Sequence, residues 1–185
     1  MTINNKNIGA SESRQCPPSG FTLIELLFVM AIIGILVGIA VPNILATLPD
    51  LRLKTAAKDL VSNLQRARMV AVKENRSNRL VFDSGVTPGR YFFDSNGNGN
   101  LDGGENIITL SGYKNGIDFG TGGSGGNNWD GDPCNQVASL TFSSRGTANT
   151  GTVYLDNDNN NTCYAVTVLT TGGIRLRKFS AINWE

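Results

Sequence analysis

The sequence predicts an α+β fold in which one long N-terminal helix packs on an antiparallel β-sheet head. Three observations predict it. Residues 21–41, between Gly20 and Pro42, form an apolar run whose one ionisable member is Glu25. Leu53, Ala57, Leu60, Leu64, Ala67 and Ala71 then recur at spacings of three and four, which is one stripe of an amphipathic helix. From residue 78 onward, short runs rich in Val, Ile, Phe and Tyr alternate with Gly, Asn, Asp and Ser, the pattern of short strands and turns.

Residues 1–20 are polar and include Pro17-Pro18. They read as a leader without a fold of its own. The apolar run that follows would span roughly 31 Å as a helix, about the hydrocarbon thickness of a bilayer. Gly34 and Gly38 give it a small-xxx-small face that permits close helix contact, a bias that membrane helices also show generally. Pro42 removes a backbone donor and predicts a kink rather than a stop; Pro49 is a second interruption. The amphipathic helix beyond, residues 43–77, carries Arg52, Lys58, Arg66, Arg68 and Lys73 largely off its apolar stripe and is expected to end near residues 75–78. Candidate strands follow at 79–83, 90–93, 107–110, 117–119, 137–142, 152–155, 163–169 and 174–179. The Gly-rich residues 120–131 read as a long mobile loop.

Glu25 poses the chemical question. A carboxylate at bilayer depth costs on the order of a few kcal/mol, so its position implies a partner. The block Gly20-Phe21-Thr22-Leu23-Ile24-Glu25-Leu26-Leu27 resembles the processing signature of type IV pilins and the pseudopilins of type II secretion. The resemblance implies that a membrane prepilin peptidase cuts after Gly20 and methylates the new amine of Phe21. It also implies that Glu25 pairs with that amine on a neighbouring subunit during filament assembly. The pair is tolerable when buried together, whereas either charge alone is not. An ordinary signal anchor leaves Glu25 unexplained. A cleaved secretory peptide fits worse still, because both the leader and the apolar run exceed its usual length.

The order of helix, many strands and a basic final strand is most like protein H of the type II system and the related minor pilins of the FimT/FimU type. Beyond the first thirty or so residues this likeness is one of layout. It implies a pilin-like fold and partners that are other pilins or pseudopilins. It also implies a chain held in the cell inner membrane, with residues 78–185 as a periplasmic head. The positive-inside count does not choose that orientation, since Lys6 and Arg14 precede the run while Arg52, Lys54 and Lys58 follow it.

Removal of residues 1–20 leaves 14 basic and 14 acidic residues, so no bulk charge favours nucleic acid. The charge is segregated, however. Residues 52–79 hold eight Lys/Arg and two acids, whereas residues 80–174 hold three Lys/Arg and nine acids. A basic stalk under an acidic body would help neighbouring subunits register; simple solvation accounts for such charges equally well. Of the three cysteines, Cys16 leaves with the leader. In the oxidising compartment that the resemblance implies, Cys134 and Cys163 would form a disulfide contributing ~3–4 kcal/mol, or remain two buried thiols.

Two further stretches suggest binding. Residues 94–105 match a twelve-residue EF-hand calcium loop position by position. Asp94, Asn96 and Asn98 stand at one, three and five, Gly99 at six, the Asn100 carbonyl at seven, Asp102 at nine and Glu105 at twelve. With three carboxylates, Ca²⁺ affinity would be weak, on the order of 10⁻⁴–10⁻³ M, and strands rather than helices flank the loop. A solvated Asn/Gly connection is the other reading. The later run from Asp156 to Asn161 lacks both the Gly and the Glu and reads as a hairpin loop.

The last strand bears Arg175, Arg177 and Lys178. Some FimT-like minor pilins carry a Gly-Arg-x-Arg ending that contacts DNA during uptake; here Ile174 interrupts the match after Gly173. Two or three cations would give weak, salt-sensitive contact with phosphates, and the acidic body opposes it.

Catalytic signatures are few. The chain has no His, which excludes Ser-His-Asp triads, Cys-His pairs and His-based zinc sites. No phosphate-cradling Gly-Lys-Ser/Thr motif occurs. The sequence thus points to a structural filament subunit with no required cofactor. Its alternatives are a DNA-binding minor pilin and an anchored module that binds calcium or a client.

Overall fold

The computed structural model describes residues 20–113, 116–120, 136–157, 162–180 and 183–184. The chain divides into two compact units, Met1–Asn43 and Ile44–Glu185.

Helix α1 is Leu23–Lys73, and neither Pro42 nor Pro49 ends it. Thr22 caps its start: the Glu25 amide donates to the Thr22 hydroxyl at 3.3 Å. Thr-x-x-Glu is the capping-box spacing, which satisfies a backbone donor that the first helical turn leaves open. The other end stops for an equally local reason. Asn75 takes the left-handed conformation at φ 49°. Asn75 N donates to Val72 O, and Arg76 N reaches back to Ala71 O at 3.1 Å. These are the two bonds of a Schellman motif, with Asn in the position that glycine usually fills.

In the first unit, the described residues are exposed throughout. The helix contains an 18-residue window of mean hydropathy 2.8, none of it buried, and is long and apolar enough to cross a membrane. A helix apolar on all sides has its natural surroundings in lipid or among other apolar helices.

The described residues of the second unit form nine strands: β1 (Asn78–Asp83), β2 (Arg90–Asp94), β3 (Ile107–Thr109), β4 (Asp118–Phe119), β5 (Ser139–Phe142), β6 (Gly151–Asp156), β7 (Thr162–Val168), β8 (Ile174–Ser180) and β9 (Asn183–Trp184). Leu110–Tyr113, at the end of the third candidate strand, turns as a 3₁₀ helix instead. The strands form two antiparallel sheets, β3-β2-β1-β5 and β4-β6-β7-β8-β9, where the sequence suggested one. The Gly-rich stretch expected as a loop lies, from residue 121 on, outside the described residues, as does most of the β6–β7 connection.

One apolar core serves both sheets. Leu53, Leu60, Leu64, Ala67 and Ala71 of α1 are fully buried, together with Leu80 of β1, Leu140 and Phe142 of β5, and Val153, Leu155, Val166 and Val168 of β6 and β7. The helical stripe at three- and four-residue spacing therefore meets the inward positions of both sheets. Polar ties flank it. Asn63 donates to the Tyr91 hydroxyl at 2.8 Å, and the Tyr113 hydroxyl donates to Asp59 at 2.8 Å. Burial pushes the Tyr91 phenol up to about 12 and also raises that of Tyr113. Folding thus holds these protons more tightly than the unfolded chain does. The stabilisation is complete below the ordinary tyrosine value of 10 and is lost as pH rises through the folded value.

Arg68 fastens two turns to the helix. Its guanidinium donates to Gly146 O at 3.0 Å and to Thr171 O at 3.5 Å. Gly172 lies between them at φ +74°, where a Cβ would collide with Gly146 O. Only glycine meets both demands.

Candidate functional site

The residues expected for processing and assembly lie at the start of the chain's described part. Gly20, Phe21 and Thr22 precede the helix without regular structure, and Gly20 and Phe21 are exposed. The Gly20–Phe21 peptide bond therefore lies in irregular, accessible chain, where a peptidase can reach it. Glu25 is the third helical residue of α1 and is exposed in a single chain. Its backbone is fixed by the Thr22 cap while its carboxylate remains at the surface, available to a group from outside the chain. The cap was legible as Thr-x-x-Glu, a signal that the apolar run obscured.

The loop between β2 and β3 is closed by its own bonds. Asp94 is buried, and its two oxygens accept the Gly97 and Gly99 amides at 2.6 and 2.8 Å. Arg79, its register partner on β1, stands 3.6 Å away. Arg76 donates to Ser95 O at 3.0 Å. The end of the basic stretch thus neutralises and ties this acidic loop within one subunit. Asn96 and Asn98 each accept the amide two residues on, forming successive Asx turns. Both also donate to Asp102, at 2.5 and 2.7 Å. Glu105 accepts from the Ser95 amide at 2.9 Å and from the Asp102 amide at 3.2 Å. The side chains needed for calcium are present in kind and order. Among the described residues, though, no group of three His, Cys, Asp or Glu converges as a metal site. Ca²⁺ would need Glu105 to exchange its amide bonds for the ion.

Cys163 is buried on β7, and Cys134 lies outside the described residues. On β8, Arg175 is exposed and pairs in register with Thr167, while Arg177 lies opposite Ala165 and Lys178 opposite Tyr164. Ile174 packs on the core, so Arg175 and Arg177 share the opposite face and Lys178 alternates away from them. The three cations do not form one patch on the strand.

An apolar N-terminal helix that starts just past a Gly–Phe border, with a capped carboxylate in its first turn and an antiparallel head beyond, defines a pilin-like structural subunit. The comparisons with known proteins agree. The family profile described as type II transport protein GspH matches residues 56–172, and that of the prokaryotic N-terminal methylation motif matches residues 18–41. The chain belongs to the type II transport protein GspH family. It is a structural subunit of the pilin and pseudopilin kind. It is similar to the pilin-like protein PilA1 of Thermus thermophilus, with 40% identity over 87 residues, 46% of this chain and 54% of the relative. The matched region spans about half the length of that relative. The crystal structure of the type IV minor pilin FimU of Pseudomonas aeruginosa matches with a TM-score of 0.52 at 15% identity, over 74% of this chain and 94% of FimU. That likeness shows the fold.

Proposed function

We propose that this chain is a minor subunit of a type II secretion pseudopilus or a type IV pilus, placed as a priming or tip component. In this reading a prepilin peptidase removes residues 1–20 and methylates Phe21. The apolar part of α1 holds the chain in the cell inner membrane with the head in the periplasm until the subunit enters the filament. The observation that carries the reading is the N-terminal methylation motif over residues 18–41, set on an accessible Gly20–Phe21 border with Glu25 exposed in the first helical turn. The test is recovery of the processed chain, made in its own cell, in the sheared filament fraction at far below the amount of the major subunit. A chain that stays wholly with the membranes contradicts the proposal.

A second reading concerns residues 94–105. What favours it is that Asp94 already folds the loop around Gly97 and Gly99, both at positive φ. Weak calcium binding requires a rise in melting temperature of the full-length protein in detergent that sets in at ~10⁻⁴–10⁻³ M Ca²⁺ and is lost in Glu105→Gln. No shift up to millimolar metal leaves the loop as a self-closed connection. The DNA-uptake reading gains no support from Arg175, Arg177 and Lys178, since the three do not share a face.

A further inference from the structure

The β2–β3 connection contains two Asn-Gly pairs in succession, Asn96-Gly97 and Asn98-Gly99. Asn followed by Gly is the pair most open to attack of the next backbone nitrogen on the side-chain carbonyl, because no Cβ shields that nitrogen. Asn96, Gly97 and Asn98 are exposed, so water reaches them. Yet the attacking and departing nitrogens are tied up, and each side chain is pinned in its own turn. The two attacking nitrogens, Gly97 N and Gly99 N, donate to the two oxygens of Asp94. The two amide carbonyls under attack accept from Asn98 N and Asn100 N. The two departing amide nitrogens both donate to Asp102. Asp94 is itself held by burial and by Arg79.

We propose that Asn96 and Asn98 are latent deamidation sites held unreactive by Asp94 and Asp102, and that the loop is a one-way chemical switch released when those carboxylates let go. In the reaction, Gly97 N gives its proton to solvent and bonds to Cγ of Asn96, closing a five-membered imide. The Cγ–Nδ2 bond breaks and ammonia leaves with a proton from solvent. Water then adds to one of the two imide carbonyls and opens the ring to aspartate or isoaspartate. Asn98 and Gly99 follow the same course. Water is the one co-reactant, and nothing is oxidised or reduced. Each conversion replaces an amide that donates to Asp102 with a carboxylate that repels it. The isoaspartyl product also lengthens the backbone within the turn. Neither product closes the loop again. Calcium takes no part in the reaction.

The test is peptide mass mapping of the full-length protein in detergent, incubated at neutral pH either folded or unfolded in denaturant. The folded wild type is expected to convert Asn96 and Asn98 at least about tenfold more slowly than the unfolded chain, the loss of one charge-assisted hydrogen bond being enough for that factor. Asp94→Asn replaces one acceptor oxygen with a donor, so at least one pair should approach its unfolded rate in protein that still melts cooperatively. Asp102→Ala frees the departing amides and should accelerate both sites by a smaller factor. Equal folded and unfolded rates in the wild type overturn the proposal. So does folded Asp94→Asn that converts more slowly than wild type, since Asp94 would then be promoting the attack. If Asp94→Asn does not fold, the wild-type ratio and Asp102→Ala decide alone.

Discussion

Glu25→Val is expected to leave cleavage after Gly20 largely intact and to lower recovery of the chain in sheared filaments by about tenfold or more. The lone chain exposes this carboxylate within an apolar run. Where that run enters lipid or a bundle of like helices, an unpaired carboxylate costs several kcal/mol. A neighbouring amine at Phe21 would offset that cost, and breaking a buried pair by removing one partner typically costs ~3–5 kcal/mol. Each ~1.4 kcal/mol is a factor of ten in the assembly equilibrium.

The Thr22 cap gives this experiment its control. Glu25→Gln keeps a residue suited to the capping box but removes the charge. If the side chain serves only the helix start, Glu25→Gln incorporates normally. If it pairs with an amine, Glu25→Gln fails as Glu25→Val does. Normal incorporation of both variants would remove the charge pair from the account.

The largest effect on the head is expected at Leu64→Ala. Leu64 is 0% exposed, in the one core that serves both sheets. Truncation loses the transfer energy of the buried methyls and leaves a cavity, together about 2–5 kcal/mol. For a unit of this size the melting temperature of the full-length protein should fall by roughly 10 °C. Ser62→Ala, on the exposed side of the same helix, should stay within about 0.5 kcal/mol. A Leu64→Ala protein that melts with the wild type would mean the helix is not seated on the sheets as described.

Much of this was legible in order along the chain. The stripe from Leu53 to Ala71 and the start of the apolar run are local signals, and the helix obeys both. Eight of the strands lie where alternation and turn residues put them. β9, two residues long, is too short to leave a pattern. The division into two sheets was not legible, because it depends on pairings made far apart in sequence. β5 crosses to pair with β1, Leu80 against Leu140, while its sequence neighbours β4 and β6 pair with each other. Nothing in Ser139–Phe142 itself names that partner. The loop at residues 94–105 shows the opposite limit. Its spacing was plain, but the bond of Glu105 to Ser95 follows from the β2–β3 pairing and that of Arg79 to Asp94 from the β1–β2 register. Asn75 ends the helix slightly earlier than expected because its left-handed conformation closes the last turn with two backbone bonds.

The most direct measurement is the intact mass and N-terminal sequence of the chain purified from the cell that makes it. The expected protein begins at Phe21 and carries a methyl group on its amine. A chain that still bears residues 1–20 would lack the positive end that Glu25 is meant to meet, and the filament mechanism would be wrong.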